Sequence, residues 1–311
     1  MKPRILVTGQ TYIDFICRTE TVPEKGLSVT SSLGYAFVAD GGGAYSAVCA
    51  SRLGADIVFC TALGNDSYAS QLKKRFLAEG VDTRFISINK QTQTGMCVSL
   101  TENDGSTRKI FYPGANAKLS ARNIEDAFSC YPDALLVSSD IGEQNVLTAT
   151  EFAKRDDVKI FLDLSDTQGS FPLEKIKNAE AVILDDGAVR SLCGMSADDV
   201  GSCLNACIKL SSLIKAKYYV INLAYRGAFL YDGTYSKVIP PVAFTGNDFT
   251  ASHKAFCAAF TYKLVSGTEV SEAVAFANLV LAYCASHRGG LLSLPKLNEL
   301  EAFEQNSNPE Q

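Results

Sequence analysis

Few residues of this chain have both the type and the setting for chemistry. The most suggestive run is Asp40-Gly41-Gly42-Gly43-Ala44-Tyr45, three glycines leading straight into an apolar helical pattern that ends at Ser51-Arg52-Leu53-Gly54. Glycines ahead of a helix let backbone amides come close to a ligand, and a helix N-terminus favours negative or hydroxyl-rich groups. The triplet by itself fits a plain turn equally well. Asp14, following the first apolar run, adds an acceptor suited to sugar hydroxyls. Ten cysteines (17, 49, 60, 97, 130, 193, 203, 207, 257 and 284) are spread along the chain, with only His253 and His287 to supply imidazole and no CxxC pair. Cys203 and Cys207 share a helix face, but the set reads as reduced, mostly buried thiols, and no metal is assigned.

The elements that must position these groups follow from periodicity. Apolar runs at 5–8, 57–61, 134–137, 160–164, 181–184 and 218–223 alternate with helical patterns at 44–53, 67–78 and 197–214, the second opening after Asp66 as N-cap. That alternation predicts a doubly wound, mainly parallel sheet with helices on both faces. Segments 12–18 with 27–38, and 94–100 with 108–111, instead look like hairpin strands, the second pair joined by Asn103-Asp104-Gly105. They predict a small β-sheet lid, from about 12–38 and 94–112, able to cover a ligand. The polar stretch 304–311 is expected to be a disordered tail.

Composition narrows the function. With 47 % apolar and 20 % charged residues and a net charge of −5, the 311 residues suit a folded domain with a small-molecule partner rather than a polybasic nucleic-acid binder. The apolar run after Met1-Lys2-Pro3-Arg4 is too short for a signal peptide, and 273–285 falls short of the roughly 20 residues a membrane helix needs. A cytoplasmic location without a membrane partner is expected.

The run from Gly41 to Gly54, followed by Thr61-Ala62-Leu63-Gly64-Asn65-Asp66 and Glu79-Gly80-Val81-Asp82-Thr83, resembles the first signature of ribokinase-like (PfkB) carbohydrate kinases. Thr94-Gly95 with Asp104-Gly105 resembles that family's lid strands. Gly114-Ala115-Asn116-Ala117 resembles the segment leaving the lid, and Arg288-Gly289-Gly290 with Ser293-Leu294-Pro295 the closing pattern. The likeness spans nearly the whole chain and implies one ribokinase-like domain over 1–311. It also implies a sugar or nucleoside held by Asp14, Gly41, Gly42, Gly43, the Tyr45 position and Asp140, with ATP and Mg2+ as cofactors if the chain is active. Tyr45 stands where the family usually has a sugar-contacting asparagine, and Asp40 replaces a glycine.

The same resemblance places the chemistry at a second signature, Asp-Thr-x-Gly-Ala-Gly-Asp, whose glycine amides cradle the γ-phosphate and whose last Asp takes the hydroxyl proton. Aligned through Ala255-Phe256-Cys257-Ala258-Ala259-Phe260, this chain reads Asp248-Phe249-Thr250-Ala251-Ser252-His253-Lys254. The base position is Lys254, and an ammonium accepts no proton. Asp185-Asp186-Gly187-Ala188 stands for the family's Asn-x-x-Glu, and Asn222 to Gly227 for Thr-x-Gly-x-x-Gly, with Gly227 alone retained. The reading is a ribokinase-fold pseudokinase that binds a sugar- or nucleoside-like molecule and pairs through its lid as a homodimer or with a paralogous kinase. The alternative is an active ATP-dependent sugar kinase with a relocated base, for which Asp248 is the fallback carboxylate.

Overall fold

The computed structural model describes residues 2–104, 106–167, 171–176 and 178–307. The apolar runs become strands β1 (Arg4–Thr8), β4 (Asp56–Gly64), β8 (Ala134–Ser138), β9 (Lys159–Asp163), β10 (Ala179–Asp185) and β11 (Ala216–Asn222). Three strands without a clear sequence signal join them: β5 (Ile86–Asn89), β12 (Ala228–Tyr231) and β13 (Ser236–Ile239). Together they form a nine-stranded sheet in the order β13-β12-β11-β10-β9-β8-β1-β4-β5. It is parallel from β11 to β5, and β12 and β13 add antiparallel strands at one edge.

Both faces are covered, which is why these strands are continuously apolar rather than alternating. On one side, Ile5, Val7, Phe59, Phe161 and Val220 pack with α1 (Gly42–Arg52), α2 (Ser67–Ala78), α7 (Ser252–Val265) and α8 (Val270–Ser286). On the other, Leu6, Val58, Val137, Leu162 and Ile221 pack with α3 (Ala121–Phe128), α4 (Glu143–Arg155), α5 (Asp186–Cys193) and α6 (Val200–Leu213). Asp66 caps α2 by accepting from the Ala69 amide at 2.9 Å. Among the described residues no helix is long and apolar enough to cross a membrane, and the cysteines are free thiols.

The lid is a second sheet, β3-β2-β6-β7, built from β2 (Tyr12–Arg18), β3 (Tyr35–Asp40), β6 (Met96–Thr101) and β7 (Thr107–Tyr112). Its middle pair, β2 and β6, is parallel, so the two excursions from the α/β series join across their first strands. Two expectations are corrected. The 27–38 segment is a strand only from Tyr35, where its pairing with β2 begins, and residues 27–34 are exposed apart from the half-buried Ser31. The supposed tail from residue 304 belongs to α9 (Leu297–Ser307), which Leu300 anchors in the core; residues 308–311 lie outside the described residues. In the 103–105 turn, Asp104 accepts from the Ser106 amide at 2.8 Å, while Gly105 lies outside the described residues.

Candidate active site

The parallel strands β1, β8 and β9 end on one edge, where open α/β sheets collect ligand-facing residues. Lys254, in the first turn of α7, reaches this edge and is only 8 % exposed. Its Nζ donates to Ser138 Oγ at 3.0 Å, Asp163 Oδ2 at 2.5 Å, Ser165 Oγ at 2.9 Å and the Asp166 carboxylate. An ammonium has three N–H donors, and four acceptors surround this one, so none is free for a ligand. Burial opposes its charge, but Asp163, Asp166 and Asp140 outweigh that and hold the lysine protonated well above its ordinary range. Burial likewise opposes ionisation of Asp163, yet Lys254 and then His253 keep its carboxyl far below the usual carboxylate range. The base position is therefore the cation of a buried pair and carries no lone pair at neutral pH. Asp163, Ser165 and Asp166 escaped the sequence reading; their signal was two acids at the C-terminal end of a parallel strand.

His253 fills the space beside this pair. Its Nε2 lies 3.1 Å from Asp163 Oδ1 and 3.3 Å from Cys257 Sγ, and its Nδ1 lies 3.1 Å from Asn222 Nδ2. Asn222 Oδ1 accepts from the Ala224 amide at 2.8 Å, which turns the Asn222 NH2 toward the ring. In the neutral ring Nδ1 is thus the acceptor and Nε2 carries the proton that Asp163 receives; burial favours this form, and Cys257 and Asp163 oppose it by raising the ring's pKa. Asp163, His253 and Cys257 bring an oxygen, a nitrogen and a sulfur within 4.8 Å of one another, a donor set sequence spacing alone did not reveal. It does not suit a metal: ligation through Nε2 would move the proton to Nδ1, against the Asn222 NH2, and Asp163 already neutralises Lys254.

The other members of the nucleotide side are placed as follows. Ala251 and Ser252 are buried at the start of α7, Ser252 donating its amide to Phe249 O at 3.2 Å. Asp248 accepts from the Thr250 amide at 3.0 Å and the Gly289 amide at 3.2 Å, so both oxygens are committed to a loop tie. Asp185 caps α5 through the Ala188 amide at 2.7 Å. Gly227, at φ +87°, passes so close to Ile239 that a Cβ there would lie 2.2 Å from its carbonyl oxygen. A cleft of about 420 Å3 remains, lined among others by Asp185, Asn222, Tyr225, Phe249, Ser252 and His253. The residues present do not fit a terminal phosphate carried by Mg2+: by the resemblance Ala251 and His253 stand at the cradle glycines, and the acids nearest His253 are engaged by Lys254.

On the substrate side the glycine triplet divides its work. Gly41 (φ +118°) and Gly43 are dictated by packing, since a Cβ would lie 2.5 Å from Gln10 O and from Gly9 C respectively. Gly42 alone faces the site, where a Cβ would stand 2.8 Å from Lys254 Cε and 2.9 Å from Asp140 Oδ2. Asp140 accepts from the Gln10 amide at 3.2 Å on each oxygen. Burial raises its pKa, Lys254 opposes and Asp166 adds to the rise, leaving it at about 7. Asp14 is 2 % exposed, accepts from Ser99 Oγ at 2.8 and 2.9 Å, and has Lys109 of the lid at 4.0 Å. Burial, ahead of these partners, raises its pKa.

Tyr45 is not on the ligand surface. It is 3 % exposed within the core, and burial and then the nearby Asp40 raise the pKa of its hydroxyl, as they do for Tyr12. Asp40 accepts from the Gly41 amide at 2.5 Å, so the two departures from the family pattern lie near each other. Asn116, quoted in the sequence only as part of a segment, proves a central tie. It bonds the Thr11 amide at 3.1 Å, Thr11 O at 2.8 Å and Pro113 O at 3.0 Å, locking the start of β2 to the end of the lid.

Comparison with known proteins agrees with this architecture. The family described as pfkB family carbohydrate kinase matches residues 2–297. The ribokinase of Haemophilus influenzae is 25 % identical over 308 residues, covering 97 % of this chain and 99 % of its own. Among solved structures, Arabidopsis thaliana ribokinase complexed with ribose and ATP superposes with a TM-score of 0.88 at 21 % identity, covering 98 % of this chain and 99 % of its own. The nucleoside kinase of Burkholderia thailandensis in complex with inosine gives 0.80 at 20 % identity, covering 99 % of each. From the sheet order, the lid and the match over residues 2–297, this chain belongs to the pfkB family of carbohydrate kinases.

Proposed function

We propose that this member of the family is a pseudokinase, binding a sugar- or nucleoside-like molecule between Asp14, Gly42 and Asp140 without transferring phosphate to it. The observation that carries the reading is Lys254: the base position holds an ammonium with four internal acceptors. Loss of a general base removes about 10²–10⁴ in rate, and loss of an anion-stabilising donor about 10²–10³ more. The ribokinase-like unit acts as one domain over 1–311, in the cytoplasm. It pairs through the lid, as a homodimer or with a paralogous kinase, and the exposed Tyr35, Phe37, Ile110 and Tyr112 of the lid strands support that pairing.

The test is a panel of pentoses, hexoses and nucleosides incubated with ATP and Mg2+, with phosphorylated product read by mass. No product, together with thermal stabilisation by at least one neutral member, is expected. Turnover of about 1 s⁻¹ or faster on any member would refute the pseudokinase. One observation favours the second reading, an active ATP-dependent kinase with a relocated base. Asp140, with a pKa of about 7, lies beside the base position, whereas Asp248 is spent on its loop.

A further inference from the structure

The acid–base balance around Lys254 leaves one carboxylate without a counter-ion. Lys254 brings one positive charge from α7. Asp163, at the end of β9, and Asp166, just beyond it, bring two negative charges and take its donors. Asp140, just beyond β8, faces the same lysine side chain, yet among the described residues it forms no ion pair. Its oxygens receive only the Gln10 amide. The remaining group on this edge, His253, gives its Nε2 proton to Asp163. Farther into the lid, Asp14 has Lys109 at 4.0 Å and the Ser99 hydroxyl, and Asp40 accepts from the Gly41 amide. Among the described residues Asp140 is in no ion pair and accepts only from a backbone amide, with Lys254 near enough to oppose its protonation but with that lysine's donors already taken. Next to it, the Ser139 hydroxyl, on a residue 8 % exposed, has no partner among the described residues.

Gly42 packs directly against Asp140 and Lys254, leaving no room for a side chain between them, since any Cβ there would meet both Asp140 Oδ2 and Lys254 Cε. We infer that the natural ligand of this pocket is a polyol bearing a protonated amine, an amino sugar or amino alcohol, whose ammonium binds Asp140 while its hydroxyls meet Asp14. This rests on the binding pocket of the proposed function and names the chemical class it takes. The amine stands at the end where a phosphoryl acceptor would sit in an active kinase. A protonated amine has no lone pair to attack a phosphate, so such a ligand belongs with a site that binds and does not transfer.

The choice of ligand is coupled to pH. Free Asp140, at about 7, is roughly one-tenth ionised at pH 6 and nine-tenths at pH 8. The ammonium of an amino alditol such as 1-amino-1-deoxyribitol stays charged over that range and takes the place of the proton, so its affinity rises about tenfold between those values, whereas the amine of glucosamine itself loses its proton toward pH 8 and gives a flatter profile. A neutral polyol lacks this term.

Calorimetric titration of the full chain with 1-amino-1-deoxyribitol, ribitol and ribonate, and with glucosamine, glucose and gluconate, tests the inference. The amine of at least one set is expected to bind about tenfold or more tighter than its neutral parent, and the acid to bind weakest. Asp140→Asn is expected to abolish that preference and its pH dependence, and Asp140→Glu to retain part of the preference. If the asparagine variant does not fold, the wild-type pH profile decides alone. Equal or tighter binding of the neutral or acidic member, a flat pH profile, or an undiminished preference in the asparagine variant overturns the inference and leaves the pocket reading standing. Binding of none of the six probes overturns both, and rapid phosphorylation of a neutral sugar overturns the pseudokinase alone.

Discussion

Replacing Lys254 by Met removes the ammonium but keeps most of the aliphatic stem. In the wild type the lysine and Asp163 side chains are 10 % and 1 % exposed and 2.5 Å apart. Stripping one partner from a buried pair leaves an uncompensated charge and costs about 3–5 kcal/mol. Asp166 is 44 % exposed at its side chain, so solvent screens it and its share stays below about 1 kcal/mol. Nearly all of the loss therefore comes from Asp163, and Lys254→Met should lower the melting temperature by about 6–15 °C at pH 7. The pH dependence should invert. In the wild type the depressed pKa of Asp163 gives stability that is fully present above the unfolded value near 4 and is lost as pH falls through the folded one. In the variant Asp163 keeps only His253 against the burial that opposes its charge, so acidification toward pH 5 should recover stability rather than reduce it. Adding Asp163→Asn should restore most of the neutral-pH loss. Thermal melts of the four proteins of this double-mutant cycle, from pH 5 to 8, supply the measurement. A loss under about 1 kcal/mol for Lys254→Met, or simple additivity with Asp163→Asn, would refute the buried-pair account.

Titration of the wild type with ATP and Mg2+ should give no measurable heat, and binding at micromolar Kd would show that Ala251 and His253 leave the cradle intact. Gly290→Ala should destabilise by about 1–3 kcal/mol, because Gly290 sits at φ +56° and a Cβ would lie 2.7 Å from the Tyr45 hydroxyl. Tyr45→Phe should relieve the clash but not the backbone strain, so chemical denaturation of the double variant should show partial recovery only. Asn116→Ala breaks bonds to Thr11 and Pro113 in a buried joint and should cost about 2–4 kcal/mol. Hydrogen exchange should then rise first in β2 and β6, and uniform exchange across the main sheet would count against Asn116 as the lid tie.

How legible the protein was in its sequence differs from element to element. Buried parallel strands announce themselves as unbroken apolar runs, so β1, β8, β9, β10 and β11 were readable to within a few residues. Strands β5, β12 and β13 were not, because runs of four residues, two of them on the sheet's edges, are too short to carry a periodic signal. The lid strands were visible as hairpins, but their joining through the parallel β2–β6 pair is a contact between segments about 80 residues apart, which local pattern cannot show.

For the site, the sequence by itself determined the chemistry available: a lysine where a carboxylate base would stand, two lost glycines, and acids at 14, 40 and 140. Side-chain type fixes what can accept or donate a proton, whatever surrounds it. Only the tertiary structure decided how those groups are spent. It carried Asp163 and Asp166 onto Lys254 from a strand some ninety residues earlier and turned Tyr45 inward to Asp40. It gave Gly41 and Gly43 to backbone packing, leaving Gly42 and Asp140 to face a ligand. Pairing and burial depend on the distance between chain segments, and that distance exists only once the sheet has assembled.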